Sequence, residues 1–219
     1  MKKIFAFVAA ALMFVGCNST KNYVIEGTIE GLTGQVAVMD ANFEMILDLA
    51  TVTDGSFELE VENDGNGAQF AMFAINNSPI APIFLDGEKI KVEGNIYGSL
   101  IISGTPANDA LNEFNAASQE FSSSLPEDFD PEAEPAPEVV ENISKFLKEN
   151  FEKNKDNLFG AFMVVTENVP AKTPEEWLGF IESLGKEGQN LPQIQEMKSY
   201  YEQQIAAEAA PIELDEVEE

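Results

Sequence analysis

Alternation at period two runs through the first half of the chain. In Tyr23-Val24-Ile25-Glu26-Gly27-Thr28-Ile29, residues Tyr23, Ile25 and Ile29 share one face; Phe57, Leu59 and Val61 alternate with Glu58 and Glu60. Strands with one buried and one wet face read this way. Further strands are predicted at Gln35–Met39, Ile46–Val52, Phe70–Ile75, Ile83–Leu85, Lys89–Glu93 and Leu100–Ile102. Turn residues separate them: Gly31 to Gly34, Asp86-Gly87-Glu88, and Gly94 to Gly98. Thr53-Asp54-Gly55 predicts a hairpin, with Asp-Gly supplying the positive φ angles. About eight short strands at roughly 8–12-residue spacing predict an antiparallel β-sandwich or open barrel over residues 23–103.

The period changes after Gly104-Thr105-Pro106. Leu111, Phe114, Ser118 and Phe121 recur at helical spacing, as do Val140, Ile143, Leu147 and Phe151. Leu158–Val165 is an apolar run too short for a bilayer span, so it predicts a buried element. Thr173-Pro174-Glu175-Glu176 has the form of a capping box with Pro at the first helical position. Trp177, Phe180, Ile181 and Leu184 follow on one face, and Gly185 predicts the stop. Ile194, Met197, Tyr201 and Ile205 mark a last helix. Between the first two helices, residues 122–137 collect Pro126, Pro131, Pro135 and Pro137 among carboxylates, which predicts an extended acidic loop. The fold class expected is α+β: a β domain at 23–103, a helical region at 104–208, and an acidic tail at 209–219.

The N-terminus carries a different pattern. Met1-Lys2-Lys3 precedes an apolar run from Ile4 to Val15, which ends at Gly16-Cys17 before the polar Asn18-Ser19-Thr20. That is the length of a secretory core segment and well short of the ~20 residues of a membrane helix. Apolar residues and a small residue directly before a Cys resemble the lipobox of bacterial lipoproteins. The resemblance implies a lipoprotein signal peptide at 1–16, cleavage after Gly16, and acyl chains on Cys17 as the lipid attachment site. Residues 17–22 would then be a tether. Two or three chains make a stable anchor where one is marginal. Asn18 differs from the Asp that resembles an inner-membrane retention signal, so the expected location is the cell envelope, lipid-anchored in the outer membrane and facing the periplasm.

Several segments carry a second resemblance: Glu26-Gly27-Thr28-Ile29, Gln35 to Asp40, Val52 to Phe57, Ile83 to Ile90, and Ser103-Gly104-Thr105-Pro106-Ala107-Asn108. They resemble the β-rich domain of unknown function at the N-terminus of Bacteroidetes thioredoxin-like lipoproteins, over about Tyr23 to Phe114. The helical stretch to about Ala210 is similar to the linker that such proteins place before their redox domain. With one cysteine, and a chain ending at Glu219 where that domain would follow, no thiol–disulfide chemistry is expected from the resemblance.

Composition narrows the chemistry. The 219 residues hold 39 acids and 12 bases, all lysine, with no His and one Cys, for a net charge of −27. Lacking imidazole, the chain has no His-based triad or His metal site. Such a charge repels nucleic acid, so no nucleic-acid partner is expected. Ser183-Leu184-Gly185-Lys186 fits the Ser-x-x-Lys pattern of serine β-lactamases, but its serine falls at a helix end instead of a start. Glu62-Asn63-Asp64-Gly65-Asn66-Gly67 looks like half a calcium loop, yet Phe73 stands where the closing Glu belongs; a solvated hairpin turn is the expectation. Phe70, Phe73, Phe84 and Trp177 are expected in the core. No catalytic residue, metal site or cofactor is therefore assigned. The expected function is a non-enzymatic binding or accessory module held to the lipid bilayer through Cys17, with an envelope protein as partner. One alternative is an accessory partner of a thioredoxin-like redox lipoprotein; the other is a hydrolase using carboxylates or a serine.

Overall fold

The computed structural model describes residues 21–63, 65, 67–126 and 135–209. Eight strands come first: β1 (Tyr23–Glu30), β2 (Gly34–Asp40), β3 (Ile46–Val52), β4 (Ser56–Val61), β5 (Gln69–Ile75), β6 (Ser78–Leu85), β7 (Lys89–Asn95) and β8 (Leu100–Ser103). Six helices follow: α1 (Pro106–Ser124), α2 (Pro137–Asn154), α3 (Leu158–Val165), α4 (Pro174–Ser183), α5 (Lys186–Gln189) and α6 (Pro192–Ala209). The α+β layout expected from the periodicities is observed. Among the described residues, no helix is long and apolar enough to cross a membrane.

The strands form two open four-stranded sheets, ordered β4-β1-β7-β8 and β3-β2-β5-β6. Ile25, Ile29, Leu59, Ile90 and Val92 of the first sheet pack on Val36, Val38, Phe73, Ile83 and Leu85 of the second. This is a sandwich in which each strand sends alternate residues inward. Gly27 stands in the inward row of β1 because Phe57 fills its space; a Cβ there would lie 2.2 Å from the ring. The outer face of the first sheet is wet, with Glu26, Glu58, Lys89, Lys91 and Glu93 all exposed.

Three features depart from the expected pattern. The pair β1–β7 is parallel, in register from Val24↔Lys89 to Glu30↔Asn95, so the sandwich is not wholly antiparallel. Thr53-Asp54-Gly55 is not a hairpin: β3 and β4 belong to different sheets, and the turn is a corner between them. Of that dipeptide only Gly55 has a positive φ (+86°), and its carbonyl accepts the Ile29 N–H at 2.9 Å. Residues 62–68 likewise join β4 of one sheet to β5 of the other, so this link is not a hairpin turn. The true tight hairpin is Asn76-Asn77, with φ of 48° and 65°, which pairs Ile75 with Ser78. Two positive φ angles in a two-residue loop match the twist of the flanking strands.

Strand β6 begins at Ser78, earlier than the expected Ile83, and runs through Pro79 and Pro82. Its edge position tolerates them, because a nitrogen facing away from the sheet needs no hydrogen.

Part of the outer face of the second sheet is covered. Phe70 of β5 and Phe84 of β6 point away from the sandwich core into a second core with Phe151, Leu158, Phe159, Met163 and Ile194. The rings of Phe84 and Phe162 meet edge to face at 5.3 Å, and those of Phe70 and Phe84 at 5.9 Å. Helix α3, the apolar run expected to be buried, lies at the centre, with Leu158, Phe159, Ala161, Met163 and Val164 out of solvent. The Asn157 side chain caps it, accepting from Phe159 N and Gly160 N. The capping box of α4 forms with a shift: Thr173 Oγ1 accepts the Glu176 N–H at 3.3 Å, while Glu176 reaches back to the Lys172 N–H. The result is three layers, sheet on sheet on helices.

Candidate functional site

Two places join sandwich and helices, and they differ in chemistry. The first is a joint at the start of α1. Gly104 (φ +97°) turns the chain, and Thr105 and Asn108 are buried. The Asn108 side chain behaves like a strand partner. Its Oδ1 accepts the Phe84 N–H at 3.0 Å, and its Nδ2 donates to the Phe84 carbonyl at 2.8 Å and to Thr105 Oγ1 at 2.7 Å. One turn later Asn112 Nδ2 donates to the Ile102 carbonyl at 2.8 Å. Helix α1 therefore lies along the side of the sandwich between edge strands β6 and β8, satisfying backbone groups of both. The opposite side is tied by Asp48, whose Oδ2 accepts the Glu60 N–H at 2.7 Å.

Asp86 completes the joint. Its Oδ2 accepts the Ala107 N–H at 2.8 Å, where the positive end of the α1 dipole favours an anion. Its Oδ1 is buried without a hydrogen-bond partner. Burial pushes the Asp86 carboxyl above its ordinary range; bonds from Thr105 and Ala107 pull it back, and the charge of Glu187 adds to the rise. The Ser103–Asn108 segment that carries the sequence resemblance is thus an attachment of helix to sandwich.

The second place is a cleft of about 570 Å³ between the sandwich and the last helices. One wall comes from the β2–β3 turn, with Asp40 and Asn42, and from Gln69 at the start of β5. The other is Glu187, Asn190 and Gln193, and the floor is Phe70 and Leu191. Gln193 Oε1 is buried with no hydrogen-bond partner, an acceptor left open at the cleft wall. Asp40 is already committed on one oxygen, which accepts the Glu44 and Met45 N–H groups at 2.8 Å each. The chemistry offered is acceptor-rich: two carboxylates on opposite walls and four amides above an apolar floor. Among the described residues, its lining has no Ser, Thr, Cys, Lys or Tyr that would serve as a nucleophile.

The residues singled out in the sequence lie elsewhere. Gly16 and Cys17 are outside the described residues, as are Asp64, Asn66, residues 127–134 and residues 210–219. Ser183 ends α4 with its hydroxyl donating to the Phe180 carbonyl at 2.8 Å, and Lys186 begins the next helix. Asn63 Oδ1 accepts the Gly65 N–H within the 62–68 link. Among the described residues there is no cluster of three His, Cys, Asp or Glu side chains able to hold a metal ion. Phe73 is in the sandwich core, stacked on Phe57. Trp177 lies flat against Tyr201 with ring centroids 5.5 Å apart, joining α4 to α6. The cleft was not legible because its walls come from three distant stretches. The nearest local signal is Asp40, an Asx-turn residue at the end of β2.

Residues 23–111 match the family described as Domain of unknown function (DUF4369). No curated protein and no solved structure matches the chain. The DUF4369 match takes in all eight strands, Asp86 and the Asn108 joint, and ends one residue before Asn112. It covers one wall of the cleft; Glu187, Asn190 and Gln193 lie beyond it.

Proposed function

We propose that this chain is a lipid-anchored protein of the cell envelope, held through Cys17 at the outer membrane on its periplasmic side. In this reading it works without catalysis, taking a partner or ligand rich in hydrogen-bond donors into the cleft between sandwich and helices. The anchor is supported by the short apolar run ending at Gly16-Cys17 and by the absence of any other cysteine. The binding role rests on Gln193: a buried acceptor without a partner is costly and is expected to be filled. A second reading, contact with a thioredoxin-like redox lipoprotein through the helical half, is supported by the groove between α2 and α4. That groove sets Lys145, Lys148 and Lys172 among Glu141, Glu152 and Glu176, a mixed-charge surface in a molecule that is otherwise strongly acidic.

One preparation tests the proposal. Protein solubilised from its own membranes is expected to show acyl mass on its Cys17 peptide. It is also expected to carry a bound species, in native mass spectra, that the Gln193→Ala variant loses. A bare cysteine would remove the anchor, and an unchanged bound species in the variant would remove the cleft.

A further inference from the structure

The chain enters the sandwich at the same end as the cleft. Tyr23 opens β1 opposite Val61, and its hydroxyl donates to the Gly67 carbonyl at 3.1 Å. Gly67 and the β2–β3 turn line the one cleft. That turn exposes large apolar side chains: Phe43 is 51% accessible, Met45 58% and Ile46 47%. It is also rigidly held. Asp40 Oδ1 takes the N–H groups of Glu44 and Met45, the Asp40 N–H donates to the Met45 carbonyl at 2.9 Å, and the Phe43 N–H donates to the Asp40 carbonyl at 3.1 Å. Phe43 has φ of +61°, a conformation that a bulky side chain rarely adopts and that an Asn or Gly would take without strain. A strained aromatic, fixed by four hydrogen bonds and turned outward, is a pre-organised contact.

We infer that Phe43, Met45 and Ile46 form a seat that dips into the headgroup boundary of the bilayer to which the Cys17 lipid holds the protein. The inference rests on the anchored reading. From Cys17 to Lys21 the chain spans at most ~14 Å, so the bilayer lies close to the end that carries the turn. Three side chains bind a membrane weakly, but a short tether raises their effective concentration and makes the contact persistent. Tyr97, 93% accessible, sits at the far end of the sandwich, where Glu30 pairs with Asn95, about 25 Å along the strands. The seat would therefore stand the sandwich upright, with the cleft mouth near the membrane and the Tyr97 turn farthest away. Asp40 and Glu44 beside it make a zwitterionic surface preferable to an anionic one.

The experiment supplies the anchor chemically. The chain from Cys17 onward keeps every described residue and has one thiol, which is coupled to a maleimide lipid in phosphatidylcholine vesicles. In a Trp177→Phe background, Phe43→Trp or Met45→Trp places the sole indole in the seat, and Tyr97→Trp places it at the far end. Brominated lipids are expected to quench the first two at least twofold more than the third, and added phosphatidylglycerol to reduce the difference. Equal quenching at both ends would overturn the inference. So would a blue shift at the seat that grows with protein density and ignores brominated lipid, since the occupant would then be a second copy. A bare Cys17 in cells would sink the anchored reading and leave these vesicle results unchanged.

Discussion

The two cores are built differently. Inside the sandwich, mainly aliphatic residues from alternating strands interlock, and strands such as β4 and β7 keep a polar outer row. Between the second sheet and the helices, the contacts are largely phenylalanine rings: Phe70, Phe84, Phe159 and Phe162 meet at 5.3–6.4 Å, with Phe151 against Phe180 at 4.9 Å. Interlocked strands need only volume and alternation, whereas edge-to-face rings also demand orientation. The sandwich is thus a general platform, and the aromatic layer specifies how one set of helices docks on it. Strands β5 and β6 belong to both cores, so the layers should stand or fall together.

The largest effect expected on that coupling is Phe84→Ala, which removes the ring common to the Phe70, Phe159 and Phe162 contacts and should cost about 3–5 kcal/mol. Denaturation followed by Trp177 fluorescence, which reads the helical layer, and by far-ultraviolet dichroism, which reads both layers, is expected to give one shifted transition. Two separated transitions would show instead that the cores are independent.

A smaller effect sharpens the comparison at the joint. Asn108→Ala strips partners from the buried N–H and C=O of Phe84 and should cost about 2–3 kcal/mol; Asn112→Ala, which frees one carbonyl, should cost about 1 kcal/mol. Equal losses in urea titrations would mean that α1 is held by its apolar contacts alone.

The smallest effect is one of pH. Asp86 holds its proton more tightly when folded than unfolded, chiefly through burial. Its contribution to stability is therefore full below the ordinary Asp value of 3.8 and is lost as pH rises through the higher folded value. Asp86→Asn cannot titrate, so the stability of the native chain relative to this variant should fall across the window that opens near 3.8. A difference that is flat with pH would place the unfilled Oδ1 in contact with water.

Where local pattern sets structure, the chain was readable. Tyr23, Ile25 and Ile29 are buried as their spacing required, and Leu158–Val165 coincides with α3. The misreadings arose where partner choice is non-local. Asp54-Gly55 makes the same local turn whether the next strand pairs or crosses to the other sheet, and nothing nearby announces that β7 joins β1 in parallel. The prolines hid the first half of β6, because an edge position cannot be read from the strand itself. Asn108 lay within the resembling segment, but its bonds to Phe84 depend on a strand some twenty residues earlier. The cleft was the least legible feature, since its walls come from stretches that the chain keeps far apart.

Strand β6 has a consequence for how copies of the protein meet. On its outer side Pro82 offers no donor, and two residues later the Phe84 amide and carbonyl are already taken by Asn108. A foreign strand sliding along this margin would find no run of free groups to zip against. Polymerisation into fibrils through this border is closed off by one proline and one amide, even in a concentrated suspension.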